Sequence, residues 1–314
     1  MKAMDYKFKG IIPPVVTLFN KDGEFDWEAN YMLADHLIKK GVHGLLYMGS
    51  MGEFSSLTVE ERKLFVEKMV RYVDGRVPVL IGTGTASLKD TIYLSQHAEY
   101  IGANGVLVVN PFYWKYTERQ LYDYYVNVAK SIKIPLIIYN IPSLTGQDLS
   151  PSLILRLAMD QENIVGVKDT TERLGHIRQL IGIAEQRADF SVFAAFDDLL
   201  LPALQMGAAG GINGTATFLP ELSVRLFESF KAGQYQTALT LNESILKLMS
   251  IYELSQPLFI AVKEAVHQLI LGHQTSPRLP IAEYDDLKKA VQLFLKQNNL
   301  FSYSNEELNA KGCK

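Results

Sequence analysis

The chain of 314 residues has a single cysteine, Cys313, one position from its end, so neither an internal disulfide nor a cysteine-based metal site can be built. Its six histidines, His36, His43, His97, His176, His267 and His273, show no HExxH or other close ligand pairing. A bound metal is not expected. Positive charge is not in excess either: 31 Lys and Arg stand against 34 Asp and Glu, a net charge of -3. There is no basic footprint for nucleic acid or an anionic membrane surface. No apolar run approaches the length of a membrane span. Met1 to Gly10 interleaves Lys2, Asp5, Lys7 and Lys9 with apolar residues, without the apolar stretch of a signal peptide. A cytoplasmic location and small-molecule partners are the expectations that remain.

What is present is a repeated pattern. Eight short apolar runs occur between Gly10 and about Lys231: Ile11 to Leu18, Gly44 to Met48, Val77 to Gly82, Gly105 to Val109, Leu136 to Tyr139, Ile164 to Val167, Ser191 to Ala194 and Gly210 to Ile212. They are apolar without alternation, as parallel strands covered by helices on the outside must be. Between them lie helix signals. Thr58-Val59-Glu60-Glu61 is a capping box, Ser87 and Thr117 are placed as N-caps, and Ser150-Pro151 puts proline at a first helical position. Val66, Met69, Val70 and Val73, then Leu121, Tyr125, Val128 and Ile132, fall on single helical faces.

Eight βα units in this length predict an α/β chain folded as a (β/α)8 TIM barrel over residues 1–231. A doubly wound open sheet would show a Gly-rich dinucleotide turn after its first strand, where this chain has Thr17-Leu18-Phe19-Asn20. Residues 232–314 change to helical segments near Tyr235 to Tyr252, Pro257 to Leu271 and Asp285 to Asn298, a C-terminal helical appendix with no low-complexity linker.

In such a barrel the active site gathers at the C-terminal strand ends. One lysine, Lys168, lies there in Ile164-Val165-Gly166-Val167-Lys168-Asp169-Thr170-Thr171. Desolvation favours a neutral amine, the form that attacks a ketone. The alternatives are a lysine whose head reaches water or one paired with Asp169. The other strand ends supply Gly49-Ser50-Met51-Gly52-Glu53, Asn110-Pro111-Phe112-Tyr113, Tyr139-Asn140-Ile141-Pro142, Phe196-Asp197-Asp198 and Asn213-Gly214-Thr215. Lys263, within Phe259-Ile260-Ala261-Val262-Lys263-Glu264, reads as a solvated or ion-paired helix lysine away from these ends.

Three of these motifs together, Gly49 to Glu53, Tyr139 to Gly146 and Val165 to Asp169, resemble the pyruvate-dependent class I aldolases and lyases that include dihydrodipicolinate synthase and N-acetylneuraminate lyase. The resemblance covers nearly the whole chain. It implies that Lys168 forms a Schiff base with a 2-keto acid, with no other cofactor and no metal. Tyr139 resembles the proton-shuttling tyrosine. Ser50 resembles the hydroxyl that links it to a second tyrosine, Tyr113, which reaches into a neighbouring subunit of a homotetramer. Gly49, Ser50 and Met51 would hold the substrate carboxylate on backbone amides. Thr170, Phe196, Asp197 and Ile212 are further substrate-binding candidates, joined by Asp198 and Thr215. Local structure competes with these roles: Gly49 and Gly52 suit a tight turn needing positive φ, Glu53 suits the start of the following helix, and Asp197 or Asp198 suits an N-cap.

Two departures bear on the substrate. Leu144 stands where dihydrodipicolinate synthase has an arginine for the carboxylate of aspartate semialdehyde, and Met51 stands where threonine is usual. The resemblance is therefore strongest to 2-keto-3-deoxy sugar acid aldolases, which reversibly cleave a gluconate or pentonate derivative to pyruvate and a hydroxyaldehyde. Dihydrodipicolinate synthase is the first alternative, and a non-catalytic keto-acid-binding regulator the second.

Overall fold

The structure, a computed structural model, describes residues 8–273, 276, 278, 280 and 285–301. Cys313 and the start of the stretch read as Met1 to Gly10 lie outside the described residues. Eight strands pair in parallel: β1 (Gly10–Ile11), β2 (Leu45–Tyr47), β3 (Val79–Gly82), β4 (Gly105–Val109), β5 (Leu136–Asn140), β6 (Ile164–Asp169), β7 (Ser191–Ala194) and β8 (Gly210–Gly211). Their order is β1-β8-β7-β6-β5-β4-β3-β2. The sheet then curls until its ends meet: Val15 N–H donates to Leu46 O at 2.9 Å, Leu46 N–H donates to Pro13 O at 3.1 Å, and Pro14 and Leu46 form a parallel bridge. This is the expected barrel.

The first strand is shorter than its sequence pattern. Ile11 to Leu18 is buried throughout, but only Gly10–Ile11 is a strand, because Pro13 and Pro14 have no N–H to give a ladder. The closure between β1 and β8 depends on small residues. A Cβ on Gly210 would lie 1.9 Å from the Gly10 carbonyl oxygen, so a side chain there would force the strands apart.

Helices follow the strands: α1 (Trp27–Lys39), α2 (Val59–Val73), α3 (Leu88–Tyr100), α4 (Glu118–Lys130), α5 (Pro142–Thr145), α6 (Pro151–Asp160), α7 (Leu174–Gln186), α8 (Leu200–Met206) and α9 (Pro220–Lys231). Their starts are where the sequence signals put them. Thr58 Oγ1 accepts from Glu61 N–H at 3.2 Å while Glu61 Oε2 accepts from Thr58 N–H at 2.8 Å, the reciprocal capping box. Ser87, Thr117 and Ser150 accept from Asp90, Gln120 and Leu153 amides in the same way. Each such cap contributes about 1 kcal/mol.

Two apolar layers result. Leu46, Leu107, Ile137, Phe193 and Ile212 fill the barrel interior, and a larger cluster lies between strands and helices. Beyond α9 come α10 (Tyr235–Leu248), α11 (Phe259–Val266) and α12 (Asp285–Gln297). Every residue of α11 is buried, with α12 packed on it. Among the described residues no helix is long and apolar enough to cross a membrane.

Candidate active site

The strand register brings the central pair together. β5 and β6 align Tyr139 with Lys168, and β6 and β7 align Lys168 with Phe193, so all three share the inward face. Lys168 is 4% exposed, and its Nζ lies 4.3 Å from the centre of the Tyr139 ring. It has no ion pair among the described residues. Neither alternative from the sequence holds, since its head is withdrawn from water and Asp169 faces the other way. Ser50 follows β2 in a single turn, Ser50–Gly52, and its Oγ lies 3.3 Å from the Tyr139 hydroxyl oxygen. An amine, a phenol and an alcohol thus line up at one mouth of the barrel.

The turn that carries Ser50 differs from the expectation. Neither Gly49 nor Gly52 has positive φ; the left-handed residues are their neighbours Met48 and Glu53, both at φ 57°. Gly52 is small for another reason. A Cβ there would lie 3.2 Å from the Val15 carbonyl oxygen, tighter than packing allows without a shift. Met51 is buried in the apolar layer outside the barrel. Glu53 does precede the helical turn Phe54–Ser56, as expected, but its carboxylate does not cap it: the side chain is buried, and Lys263 Nζ donates to its Oε1. Lys263 is ion-paired as one alternative had it, but it is fully buried and reaches a strand-end loop, so the solvated and remote readings are overturned.

Asp197 caps neither of the helical segments that follow it directly. Its Oδ1 accepts from the Thr215 amide at 3.1 Å and from the Thr215 hydroxyl, and its Oδ2 accepts from the Tyr252 hydroxyl at 2.6 Å. Burial pushes its carboxyl above the usual range, against those three donors. Tyr252, in the helical appendix, was not legible as a site neighbour, because no local pattern links it to residues 55 positions away. At the ends of β6 and β7, Thr170 Oγ1 and Asp198 Oδ1 are buried with no hydrogen-bond partner among the described residues. Buried groups of this kind suit a ligand's hydroxyls. Ile212 lies in the interior cluster with Tyr139, and Phe196 is partly buried at the end of β7. Tyr113 is apart from the others, 86% exposed at φ 87°, with its ring against Trp114. Leu144 is 67% exposed, and Tyr116, in the loop that carries Tyr113, donates its N–H to Gln147 Oε1 at 2.9 Å.

Behind the lysine, β6 ends in a buried anchor. Asp169 accepts from Asn140 Nδ2 at 2.8 Å and from the Thr171 hydroxyl at 2.7 Å, with His176 Nδ1 at 3.1 Å. The other ring nitrogen of His176 faces the Leu149 carbonyl oxygen at 3.1 Å. Only an imidazolium can donate to both. Burial works against that charge, but the bond to Asp169 and the charges of Asp169 and Asp148 outweigh it, raising the His176 pKa. A raised folded-state pKa stabilises the fold fully below the ordinary histidine value of about 6.5 and loses that contribution as pH climbs through the folded value. The stability advantage of the parent over His176→Gln, measured by urea unfolding, is therefore expected to be greatest at acidic pH and to shrink as pH rises above about 6.5. An advantage independent of pH would contradict this assignment.

Comparison with known proteins bears on the family and the fold. The model of the dihydrodipicolinate synthetase family matches residues 7–298. YjhH of Escherichia coli K12, whose name proposes 2-dehydro-3-deoxy-D-pentonate aldolase activity, is 45% identical, covering 92% of this chain and 97% of its own. YagE of the same organism, whose name proposes 2-dehydro-3-deoxy-D-gluconate aldolase activity, is 41% identical over 93% of this chain and 98% of its own. Its crystal structure in complex with pyruvate superposes with a TM-score of 0.90, covering 93% of this chain and 99% of that one. The dihydrodipicolinate synthase of Aquifex aeolicus, at 32% identity and the same 93% and 99% coverage, gives 0.87. On these matches the chain belongs to the dihydrodipicolinate synthetase family.

Proposed function

We propose that this enzyme, a carbon–carbon lyase by its family, is a class I aldolase that reversibly cleaves a 2-keto-3-deoxy sugar acid to pyruvate and a hydroxyaldehyde. The observation that carries the reading is Lys168, buried with no ion pair among the described residues, beside Tyr139, which is itself in contact with Ser50. The Lys168 amine adds to the keto carbon and water leaves, giving a protonated imine. That imine draws in the electrons of the C3–C4 bond as the C4 hydroxyl gives up its proton, so the aldehyde departs and an enamine remains. Protonation at C3 and hydrolysis then return the amine and release pyruvate. Tyr139 moves these protons, with Ser50 as its relay, and the turn amides of residues 49–51 hold the carboxylate. No metal enters the scheme.

Sugar hydroxyls find unpartnered groups in Thr170 and Asp198, whereas Asp197 is occupied by Thr215 and Tyr252. The exposed Tyr113–Trp114 pair fits a homotetramer in which Tyr113 completes the site of a neighbouring subunit. A cytoplasmic location goes with soluble metabolites of this kind. Condensation of pyruvate with aspartate semialdehyde is disfavoured by the exposed Leu144, which offers no donor to the second carboxylate.

A substrate panel tests the reading. Pyruvate release from 2-keto-3-deoxygluconate and 2-keto-3-deoxypentonate is expected, with kcat/KM above that for aspartate semialdehyde condensation by about 10- to 100-fold, the worth of the missing charge-assisted hydrogen bonds. A preference for the semialdehyde would overturn it.

A further inference from the structure

The mechanism makes no use of the buried pair Lys263–Glu53. α11 lies wholly inside the protein, and an ammonium there needs a partner. Lys263 finds one outside the appendix, in Glu53 of the loop after β2, and also donates to the Ser276 carbonyl oxygen at 3.3 Å. Its Nζ lies 4.7 Å from the Phe19 ring centre, and the Arg278 guanidinium lies 4.9 Å from the same ring. Ser276 N–H donates to Phe19 O at 2.8 Å, Arg278 N–H reaches Glu53 Oε2 at 3.5 Å, and the Arg278 side chain donates to Gly23 O at 2.6 Å and to Glu61. The C-terminal part of the chain therefore grips the loops after β1 and β2 through charged groups, not apolar contact alone.

Glu53 closes the turn that carries Ser50. Its N–H donates to Ser50 O at 3.2 Å, and the preceding Gly52 O accepts from the Thr17 hydroxyl at 2.7 Å. Its left-handed backbone is uncommon for a residue with a side chain, and such a conformation persists only where its surroundings hold it. Its carboxylate is gripped by Lys263 Nζ and by the Arg278 amide. Three residues earlier the same turn presents Ser50 Oγ to the Tyr139 hydroxyl.

We propose that the Lys263–Glu53 pair is a positioning device for the catalytic turn, fixing Ser50 against Tyr139 and the turn amides at the substrate carboxylate. The helical appendix is then part of the catalytic apparatus. This rests on the aldolase reading above, and it adds residues 210 positions apart that touch no substrate.

The pair variant Glu53→Gln with Lys263→Met removes both charges and leaves no unpaired ion in the interior. It is compared with the parent, with Ser50→Ala and with the triple variant by thermal melting, by the rate of borohydride trapping with pyruvate, and by kcat and KM for the cleaved sugar acid. The pair variant is expected to fold, to trap pyruvate about tenfold more slowly, and to show kcat lower and KM higher by about tenfold each, as misplacement without loss of a reacting group does. Adding Ser50→Ala to it is expected to cost much less than adding Ser50→Ala to the parent, since both act on one relay. Parent-like kinetics, or a full additional loss from Ser50→Ala, would overturn the proposal. If the double variant does not fold, Lys263→Met alone, which leaves a carboxyl that burial already favours in its neutral form, runs the same comparison; if neither folds, the pair is a stability element and the proposal falls. A parent that traps no pyruvate removes the aldolase reading as well, whereas a parent and pair variant that trap equally remove only this one.

Discussion

Replacing Lys168 by methionine is expected to lower aldol cleavage by about 10⁴-fold or more, because it removes the amine that lies against Tyr139 and forms the imine. The same change is expected to leave the protein at least as stable as the parent. Lys168 is almost fully buried, it has no ion pair among the described residues, and its Nζ sits over an aromatic ring. Methionine keeps the unbranched stem against Tyr139 and Phe193 and removes a polar head that costs free energy to desolvate. Loss of activity with retained or raised melting temperature is how a residue kept for chemistry behaves. A variant that loses stability in step with activity would place Lys168 in the fold instead. Comparing steady-state pyruvate release with the thermal midpoint separates the two.

Tyr139→Phe is expected to lower kcat by about 10²- to 10⁴-fold, the range for removing a positioned acid–base group. The ring remains between β4 and β6 neighbours, so packing is unchanged, and the only hydrogen bond given up among the described residues is the one to Ser50 at 3.3 Å. Stability should fall by no more than about 1 kcal/mol. Because the imine can still form without the phenol, slow trapping of pyruvate by the variant is expected to continue while cleavage is nearly lost. Stopped-flow and steady-state kinetics on the same sample check this. Full cleavage activity in the phenylalanine variant would transfer the proton steps to another group.

The barrel was legible in the chain for a physical reason: strands covered on both faces are apolar without alternation, and eight such runs separated by capped helices have few other solutions. Lys168 and Tyr139 were legible for the same reason, since polar residues ending apolar runs stand out. Their contact was not, because register between β5 and β6 is set by the whole sheet. The shortening of β1 was present as Pro13-Pro14 but was masked by the apolar residues around it. Lys263 shows the opposite case. An entirely apolar helix around a lysine marks burial, yet nothing local points to Glu53, and only tertiary packing makes the pair. Asp197 was readable as a polar strand-end residue, while its partner Tyr252 belongs to a different part of the chain. Positive φ was sought at Gly49 and Gly52 because glycine adopts it freely; the turn puts it on Met48 and Glu53, whose surroundings impose it.

The covalent step is the centre of the account, and borohydride reduction in the presence of pyruvate tests it most directly. Peptide mass spectrometry of the parent enzyme should find one reduced pyruvate adduct, on Lys168, and none on Lys263 or on the Lys168→Met variant. A parent protein recovered unmodified, or modified at another lysine, would contradict it.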